Sequence, residues 1–196
     1  MSGRTSDQQS GMNPAAGAGR PIPLWLEDIK SHATGIAPDF LRRLASCGGI
    51  HTFVETGTYL GQTARAAVGI FTEVHSIELS PELHRRAAEQ FAAEPKVHLH
   101  QGESADALAR ILPGMRQPVL FWLDAHYSEG ETACGRENTP IIAELEAIRS
   151  AGIRDALILI DDLRCFQPER SNTRSSLRGY PTVDRIRALV RDIDPQ

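Results

Sequence analysis

Apolar and polar positions divide most of this chain into two kinds of segment that alternate. Short apolar runs predict five β-strands, at residues 50–56, 74–79, 97–100, 119–123 and 156–160. Between them lie stretches in which apolar residues recur with helical spacing. Strands that alternate with helices predict an α/β fold with a doubly wound, mainly parallel sheet and right-handed crossovers.

The helical segments are predicted from the same pattern. One is expected at residues 62–71, and the next has Leu83, Ala87 and Phe91 on one face. Further helices are indicated by three groups of apolar residues: Leu108, Ile111 and Leu112; Ile141, Ile142, Leu145 and Ile148; and Val183, Ile186, Leu189 and Val190.

The chain divides into three parts by composition. Residues 1–20 are rich in small and polar residues and are predicted to be a disordered tail. Residues 21–49 are predicted to form N-terminal helices, the second at 38–47 with Gly48 and Gly49 as its C-terminal cap. Residues 50–196 are expected to be the ligand-binding domain. After the fifth strand only one clear helix is predicted, so C-terminal strands of the sheet are apparently missing or the native chain continues.

A glycine turn follows the first predicted strand. It has the spacing Glu55-x-Gly57-x-x-x-Gly61, and Glu78 ends the second strand 21 residues beyond Gly57. Glycine lets the backbone approach a ligand closely, and the helix that begins after Gly61 offers free N–H groups. An acid at the second strand end can accept hydrogen bonds from two ribose hydroxyls. The pattern predicts a nucleotide-type cofactor site.

The residues around the glycines indicate which cofactor. A dinucleotide fingerprint has three glycines, G-x-G-x-x-G, whereas here bulky Tyr59 and Leu60 lie between two. The carboxylate of Glu55 would repel a pyrophosphate but would suit an ammonium group. S-adenosylmethionine carries an amino acid end, a ribose and an adenine without phosphate. It is therefore predicted in preference to NAD.

More candidate residues follow the third and fourth strands, at the edge where open parallel sheets bind ligands. Glu103 and Ser104 could hydrogen-bond an adenine edge or cap the following helix. Asp124 ends the fourth strand, and His126 could be a general base, a metal neighbour or a hydrogen-bonded loop histidine. The polar segment 127–139 is long enough to be a lid, an acceptor pocket or a mobile loop.

Asp161 and Asp162 follow the fifth strand and complete a set of three carboxylates with Asp124. Neighbouring carboxylates repel and raise one another's pKa, and a divalent cation, with Mg²⁺ preferred, would relieve this. Alternatively, Asp161 and Asp162 cap the next turn and pair with arginines such as Arg164.

Taken together, these residues resemble the class I S-adenosylmethionine-dependent methyltransferases, most of all the metal-dependent small-molecule O-methyltransferases of the catechol and macrocin types. The resemblance covers about residues 50–165. It implies methyl transfer to a hydroxyl of a small molecule. It also implies a cofactor site and a metal site: Glu55, Gly57, Thr58, Tyr59, Gly61, Glu78, Glu103, Ser104 and Asp124 for the cofactor; and Asp124, Asp161 and Asp162 for the metal. The resemblance leaves the base open, and His126 is the candidate that the residues themselves offer.

The chain departs from this family in two ways. Catechol-type enzymes place a lysine base shortly after the first metal aspartate, whereas here Ala125, His126, Tyr127 and Ser128 follow Asp124. The family sheet also continues beyond the fifth strand. Two alternatives therefore stay open: a non-catalytic protein that binds the cofactor, and an NAD-dependent oxidoreductase.

The composition and charge of the chain indicate which kinds of binding partner to expect. The chain has 41% hydrophobic and 23% charged residues and a net charge of −4, without a basic run in its first two thirds. We therefore expect no nucleic-acid partner. No apolar run approaches the roughly 20 residues of a membrane span, and no secretory signal is recognisable, so a cytoplasmic location without membrane contact is predicted. The three cysteines are expected to be free thiols. The expected partner is a small-molecule hydroxyl acceptor, and a homodimer is compatible with the sequence.

Overall fold

A computed structural model describes residues 35–124, 139–161, 163–166 and 180–193. The strands are β1 (Thr52–Thr56), β2 (Glu73–Glu78), β3 (Val97–Gln101), β4 (Val119–Leu123) and β5 (Ala156–Ile160). The helices are α1 (Pro38–Gly48), α2 (Gln62–Val68), α3 (Pro81–Gln90), α4 (Ser104–Ile111), α5 (Ile141–Ser150) and α6 (Val183–Ile193). A short 3-10 turn spans Leu163–Phe166.

The five strands form one parallel sheet in the order β3-β2-β1-β4-β5. This confirms the predicted α/β architecture and all five predicted strands. The chain crosses from β1 toward β3 on one side and returns beside β1 as β4. The order of the strands therefore reverses between β1 and β4, and open α/β sheets bind their ligands at the carboxyl ends of such a pair.

Helices cover both faces of the sheet. Phe53, Val74 and Trp122 pack with α1 and α2, whereas Val54, Ile77 and Phe121 pack with α4, α5 and α6. Alternate strand residues thus face opposite layers, as the pleat requires. The continuous apolar run of β4 is fully buried for this reason.

Element boundaries differ from the predictions at a few positions. Helix α2 ends at Val68 and not at residue 71, because Gly69 lies at its C-terminal end and glycine is a poor helix former. Helix α1 ends at Gly48, one residue beyond the predicted end, and Gly49 forms the predicted C-terminal cap in the left-handed conformation. Strand β1 begins two residues later than predicted.

Several predictions concern parts of the chain outside the described ranges. These include the tail at 1–20, the first helix of the 21–49 segment and most of the 127–139 segment. In the ranges that are described, no strand follows β5, and no helix there is long and apolar enough to cross a membrane.

Candidate active site

The turn after β1 is held against the end of β2 by backbone hydrogen bonds. The N–H groups of Gly57 and Thr58 both donate to the carbonyl of Ile77, at 2.9 and 3.2 Å. Gly57 has a φ of 85° and Tyr59 a φ of 48°. A positive φ is available to glycine without strain but is uncommon for tyrosine, so further contacts must hold the turn at Tyr59.

Glu78, at the end of β2, supplies one such contact. One carboxylate oxygen accepts the N–H of Tyr59 and the other accepts the N–H of Ser80, each at 2.8 Å. Ser80 in turn caps α3. The carboxylate of Glu78 therefore supports the start of α3 and also fixes the glycine turn. Each carboxylate oxygen keeps a second lone pair that could accept a ligand hydroxyl.

Glu55 lies in β1 beneath this turn and is fully buried. Ser76 donates a hydrogen bond of 2.5 Å to its carboxylate, and the Ser76 hydroxyl is also 2.5 Å from the hydroxyl of Thr58. Burial raises the pKa of Glu55 to about 8, and the negative charges of Asp124 and Glu78 add to this rise, while the Ser76 hydrogen bond opposes it. At neutral pH the Glu55 carboxyl is therefore mostly protonated in the absence of a cation.

A second part of the edge is a small cleft beyond β4 and β5. Asp124 and Asp161 both line it, as do residues of α5, the 3-10 turn and Tyr180. The two aspartates are held side by side, because the N–H of Asp161 donates to the carbonyl of Leu123 and that of Asp124 to the carbonyl of Thr56. The prediction that the strand ends share one edge is confirmed, since Gly57, Asp124 and Asp161 each follow their strand in register.

Glu144 of α5 is a buried acid in the same cleft that the sequence reading missed. Burial raises its pKa to about 7, with a smaller contribution from the charge of Asp124. The hydroxyls of Ser104 and Thr56 lie close enough to oppose this rise. Even so, neither Ser104 Oγ nor Glu144 Oε1 completes a hydrogen bond among the residues that the structure describes.

The signal for Glu144 was present in the sequence. It lies three residues after Ile141 and four before Ile148, so it shares the apolar face of α5 with them. A carboxyl on a buried helix face is costly unless it is neutral or paired. That cost marks Glu144 as a candidate functional residue.

The other residues predicted to form the site lie partly within and partly outside the described ranges. Gly61 precedes α2, and its φ of 73° agrees with a glycine requirement. Glu103 precedes α4 without a side-chain cap bond, and Ser104 is buried beside Glu144. His126 and Asp162 lie outside the described residues, so their proposed roles as base and metal ligand stay predictions.

The two buried glutamates predict how stability depends on pH. Each is protonated in the folded chain at pH values where the unfolded chain has lost that proton, so the free energy of unfolding falls as pH rises. For Glu55 this loss of stability takes place between about pH 4.5 and about pH 8, and for Glu144 between about pH 4.5 and about pH 7. The slope approaches at most about 1.4 kcal/mol per pH unit for each group.

Urea unfolding at several pH values between 5 and 8 measures this slope. Glu144→Gln should make the decrease in the free energy of unfolding with pH less steep below pH 7, and the contribution of Glu55 should remain. The exposed Glu82 has a lowered pKa of about 2, caused by hydrogen bonds from Arg85 and Arg86, so Glu82→Gln is the control and should leave the slope unchanged. An identical slope in Glu144→Gln and wild type would contradict the assignment.

Comparison with known proteins shows which fold surrounds these residues. No protein-family model and no curated protein sequence matches the chain. Among solved structures, it matches a protein from Klebsiella pneumoniae provisionally assigned as an O-methyltransferase, with a TM-score of 0.55 and 18% identity over 82% of this chain and 70% of that one. The chain has the Rossmann-like methyltransferase fold.

Two further structures agree with this methyltransferase fold. A Staphylococcus aureus protein provisionally assigned as a caffeoyl-CoA O-methyltransferase matches with a TM-score of 0.52 and 14% identity, over 80% of this chain and 68% of that one. The S-adenosylhomocysteine-bound methyltransferase PaMTH1 of Podospora anserina matches with a TM-score of 0.52 and 14% identity, over 80% and 64%. The chain thus spans 64–70% of the lengths of these three proteins. At these identities the likeness establishes the fold, and the activity has to be argued from the site.

Proposed function

We propose that this protein is an S-adenosylmethionine-dependent methyltransferase that acts on a hydroxyl of a small molecule with the help of a divalent cation. The observation that carries the proposal is the pair of buried acids, Glu55 and Glu78, at the glycine turn of a methyltransferase fold. Glu55 lies in β1, next to the point where the strand order reverses, and Glu78 ends the neighbouring strand β2.

The acids fit the chemistry of this cofactor better than that of a dinucleotide. Glu55 is buried and largely neutral until a positive group approaches it, and an ammonium group beside it would favour the ionised form. Glu78 keeps lone pairs for ribose hydroxyls. A pyrophosphate would instead face the carboxylates of Glu78 and Asp124, and like charges at one site are unfavourable.

The cleft of Asp124, Glu144 and Asp161 fits the acceptor side of the reaction. Among the described residues that line it, the charged groups are carboxylates, and oxygen ligands are those that Mg²⁺ prefers. Oε1 of Glu144, which has no hydrogen-bond partner within the described ranges, supports a cation or a polar acceptor group there. Asp162 follows Asp161 directly in the sequence and is proposed as a further ligand.

The proposed reaction is a displacement at the methyl carbon. The acceptor oxygen forms a bond to that carbon while the carbon–sulfur bond breaks, and S-adenosylhomocysteine and one proton are released. When bound, the cofactor would supply the methyl group, and the cation would lower the pKa of the acceptor hydroxyl. The chain's own residues would position the two substrates in line, which lowers the barrier substantially.

Two residues are candidates to accept the proton. His126 is the one that the sequence predicts. Glu144 is the other, because its pKa of about 7 is near the value at which a general base works at neutral pH. Glu144→Gln and His126→Gln, compared by the pH dependence of turnover, would separate them, since loss of the base removes the corresponding ionisation from the profile.

A non-catalytic cofactor-binding protein is the main alternative, and an NAD-dependent oxidoreductase is a second. Calorimetry with S-adenosylhomocysteine and with NAD decides between the cofactors. Transfer of a labelled methyl group to any member of a panel of catechols and sugars excludes the non-catalytic alternative. If S-adenosylhomocysteine does not bind, the proposed function is wrong.

Substitution of Glu78 is expected to weaken cofactor binding by about 1–3 kcal/mol, because hydrogen bonds to a charged acceptor are lost. Calorimetric titration of Glu78→Gln with S-adenosylhomocysteine measures the change. Glu82→Gln, an exposed glutamate on the adjacent helix α3, is the control and should bind like wild type. Equal affinity in Glu78→Gln and wild type would remove Glu78 from the site.

A further inference from the structure

A cluster of histidines and one glutamate lies on the sheet away from the candidate active site. His75 of β2 pairs in register with His98 of the neighbouring strand β3, so their side chains share one face. Glu73, two residues before His75, lies on the same face. We call Glu73, His75 and His98 the β2–β3 cluster.

The donor atoms of the β2–β3 cluster are close enough to share one ion. Glu73 Oε1 is 3.1 Å from His75 Nε2 and 4.0 Å from His98 Nε2. One ligand atom from each of the three residues lies within 4.8 Å of the others. In a tetrahedral zinc site with bonds of about 2.0–2.1 Å, the ligand atoms are about 3.3 Å apart. Small side-chain rotations would therefore suffice to close the site.

Burial divides the cluster into a fixed ligand and two adjustable ones. The side chain of His75 is 11% exposed, whereas those of Glu73 and His98 are 42% and 46% exposed. A cation can therefore reach the cluster from solvent at the edge strand β3. Glu73 and His98 can adjust their positions, while the buried His75 keeps its place.

A fourth residue, His100, fixes the orientation of His75. Its Nε2 lies 3.0 Å from Nδ1 of His75, and the two rings stack with centroids 5.3 Å apart. When Nδ1 of His75 carries the proton, it donates to His100, and the lone pair on Nε2 of His75 faces Glu73. A hydrogen bond from the second ring nitrogen is the usual support of a metal-binding histidine.

We propose that Glu73, His75 and His98 form a binding site for a zinc-like divalent cation, with three protein ligands and one position open to water or another ligand. Two imidazole nitrogens and one carboxylate oxygen suit Zn²⁺ better than Mg²⁺, which prefers oxygen alone. The bound cation would join β2 to the edge strand β3.

This site is separate from the proposed cofactor site. His75 is three residues before Glu78, about 10 Å along the strand, and alternation places the two side chains on opposite faces of the sheet. The proposal does not depend on methyltransferase activity. Evidence against the cation site would not contradict the proposed methyltransferase function, and evidence against that function would not contradict the cation site.

The test uses the full chain after chelation and dialysis, titrated with Zn²⁺ alone in a calorimeter. His98→Ala and Glu73→Gln should each weaken binding by at least about tenfold. His51→Ala removes another exposed histidine outside the cluster and should leave the affinity unchanged. Because His98 is exposed, its substitution should leave the fold intact, which circular dichroism and an unchanged midpoint of urea unfolding would verify.

Cobalt(II) provides a second measurement that reports ligand type. Bound by this cluster, it should give a tetrahedral visible spectrum that lacks the thiolate charge-transfer band of a cysteine site, and that spectrum should be lost in His98→Ala. Absence of Zn²⁺ binding in wild type, equal affinity in His98→Ala, or a thiolate band that persists in that variant would overturn the proposal.

Discussion

Asp161→Asn is expected to reduce methyl transfer roughly a hundredfold or more while leaving S-adenosylhomocysteine binding nearly unchanged. Asp161 lies at the end of β5 and lines the cleft with Asp124. In the proposed function these carboxylates hold the cation that activates the acceptor, so their loss affects turnover more than cofactor affinity. Transfer from labelled S-adenosylmethionine to a panel of catechols and sugars measures turnover, and excess chelator should have the same effect as the substitution.

The control for this experiment lies at the opposite end of the same strand. Asp155 is exposed and immediately precedes β5, so Asp155→Asn should keep full activity. Binding of Mn²⁺, followed by electron paramagnetic resonance, gives a measurement that does not depend on the acceptor. It should weaken in Asp161→Asn and remain in His98→Ala, which separates the cleft from the β2–β3 cluster. Full methyl transfer in excess chelator would contradict the role of the cation.

Glu55→Gln is expected to weaken cofactor binding by about 2–5 kcal/mol, because removal of one partner from a buried charge pair leaves the other charge unpaired. The substitution keeps the shape of the side chain, and Ser76 can still donate to the amide oxygen. The fold should therefore be retained. Calorimetric titration with S-adenosylhomocysteine, which carries the same ammonium group, measures the loss.

Binding should also release a proton from Glu55. Its pKa of about 8 in the free protein would fall beside an ammonium group, so wild type should bind more tightly as pH rises from 6 toward 8. Titrations in two buffers with different ionisation enthalpies detect this proton. Glu144→Gln removes another buried acid with a raised pKa and should keep the effect, whereas Glu55→Gln should lose it. Equal apparent heats in both buffers for wild type would show that Glu55 does not meet the ammonium group.

The sheet and its ligand-binding edge could be predicted from the sequence because local patterns determine them. The apolar run of β4 is continuous, and Gly57 and Gly61 occupy positions with positive φ that other residues disfavour. Once the strands are parallel, residues that follow them must meet at one edge. Gly57, Asp124 and Asp161 were therefore located correctly without any knowledge of side-chain contacts.

The residues that the sequence did not reveal depend on packing and register. Glu144 becomes important because α5 places it against Thr56 and Ser104, two residues far from it in the chain. His75 and His98 meet only because β2 and β3 pair in one particular register. A shift of a single residue would place their side chains on opposite faces. Helical spacing places Glu144 on the apolar face of α5, but it does not show which distant residues Glu144 meets, and strand spacing does not show the register of β2 and β3.

The alternation of side chains along β1 has a consequence for how this protein could diversify. Glu55 projects to the layer of α1 and α2, as Phe53 does, whereas Thr56 projects to the layer of α4 and α5, as Val54 does. The sheet thus places Glu55 and Glu144 in different layers. Substitutions on α5 or at Tyr180 can alter the shape of the cleft without changing the residues that surround Glu55. In laboratory evolution, a new acceptor could be selected while affinity for the methyl donor is held constant.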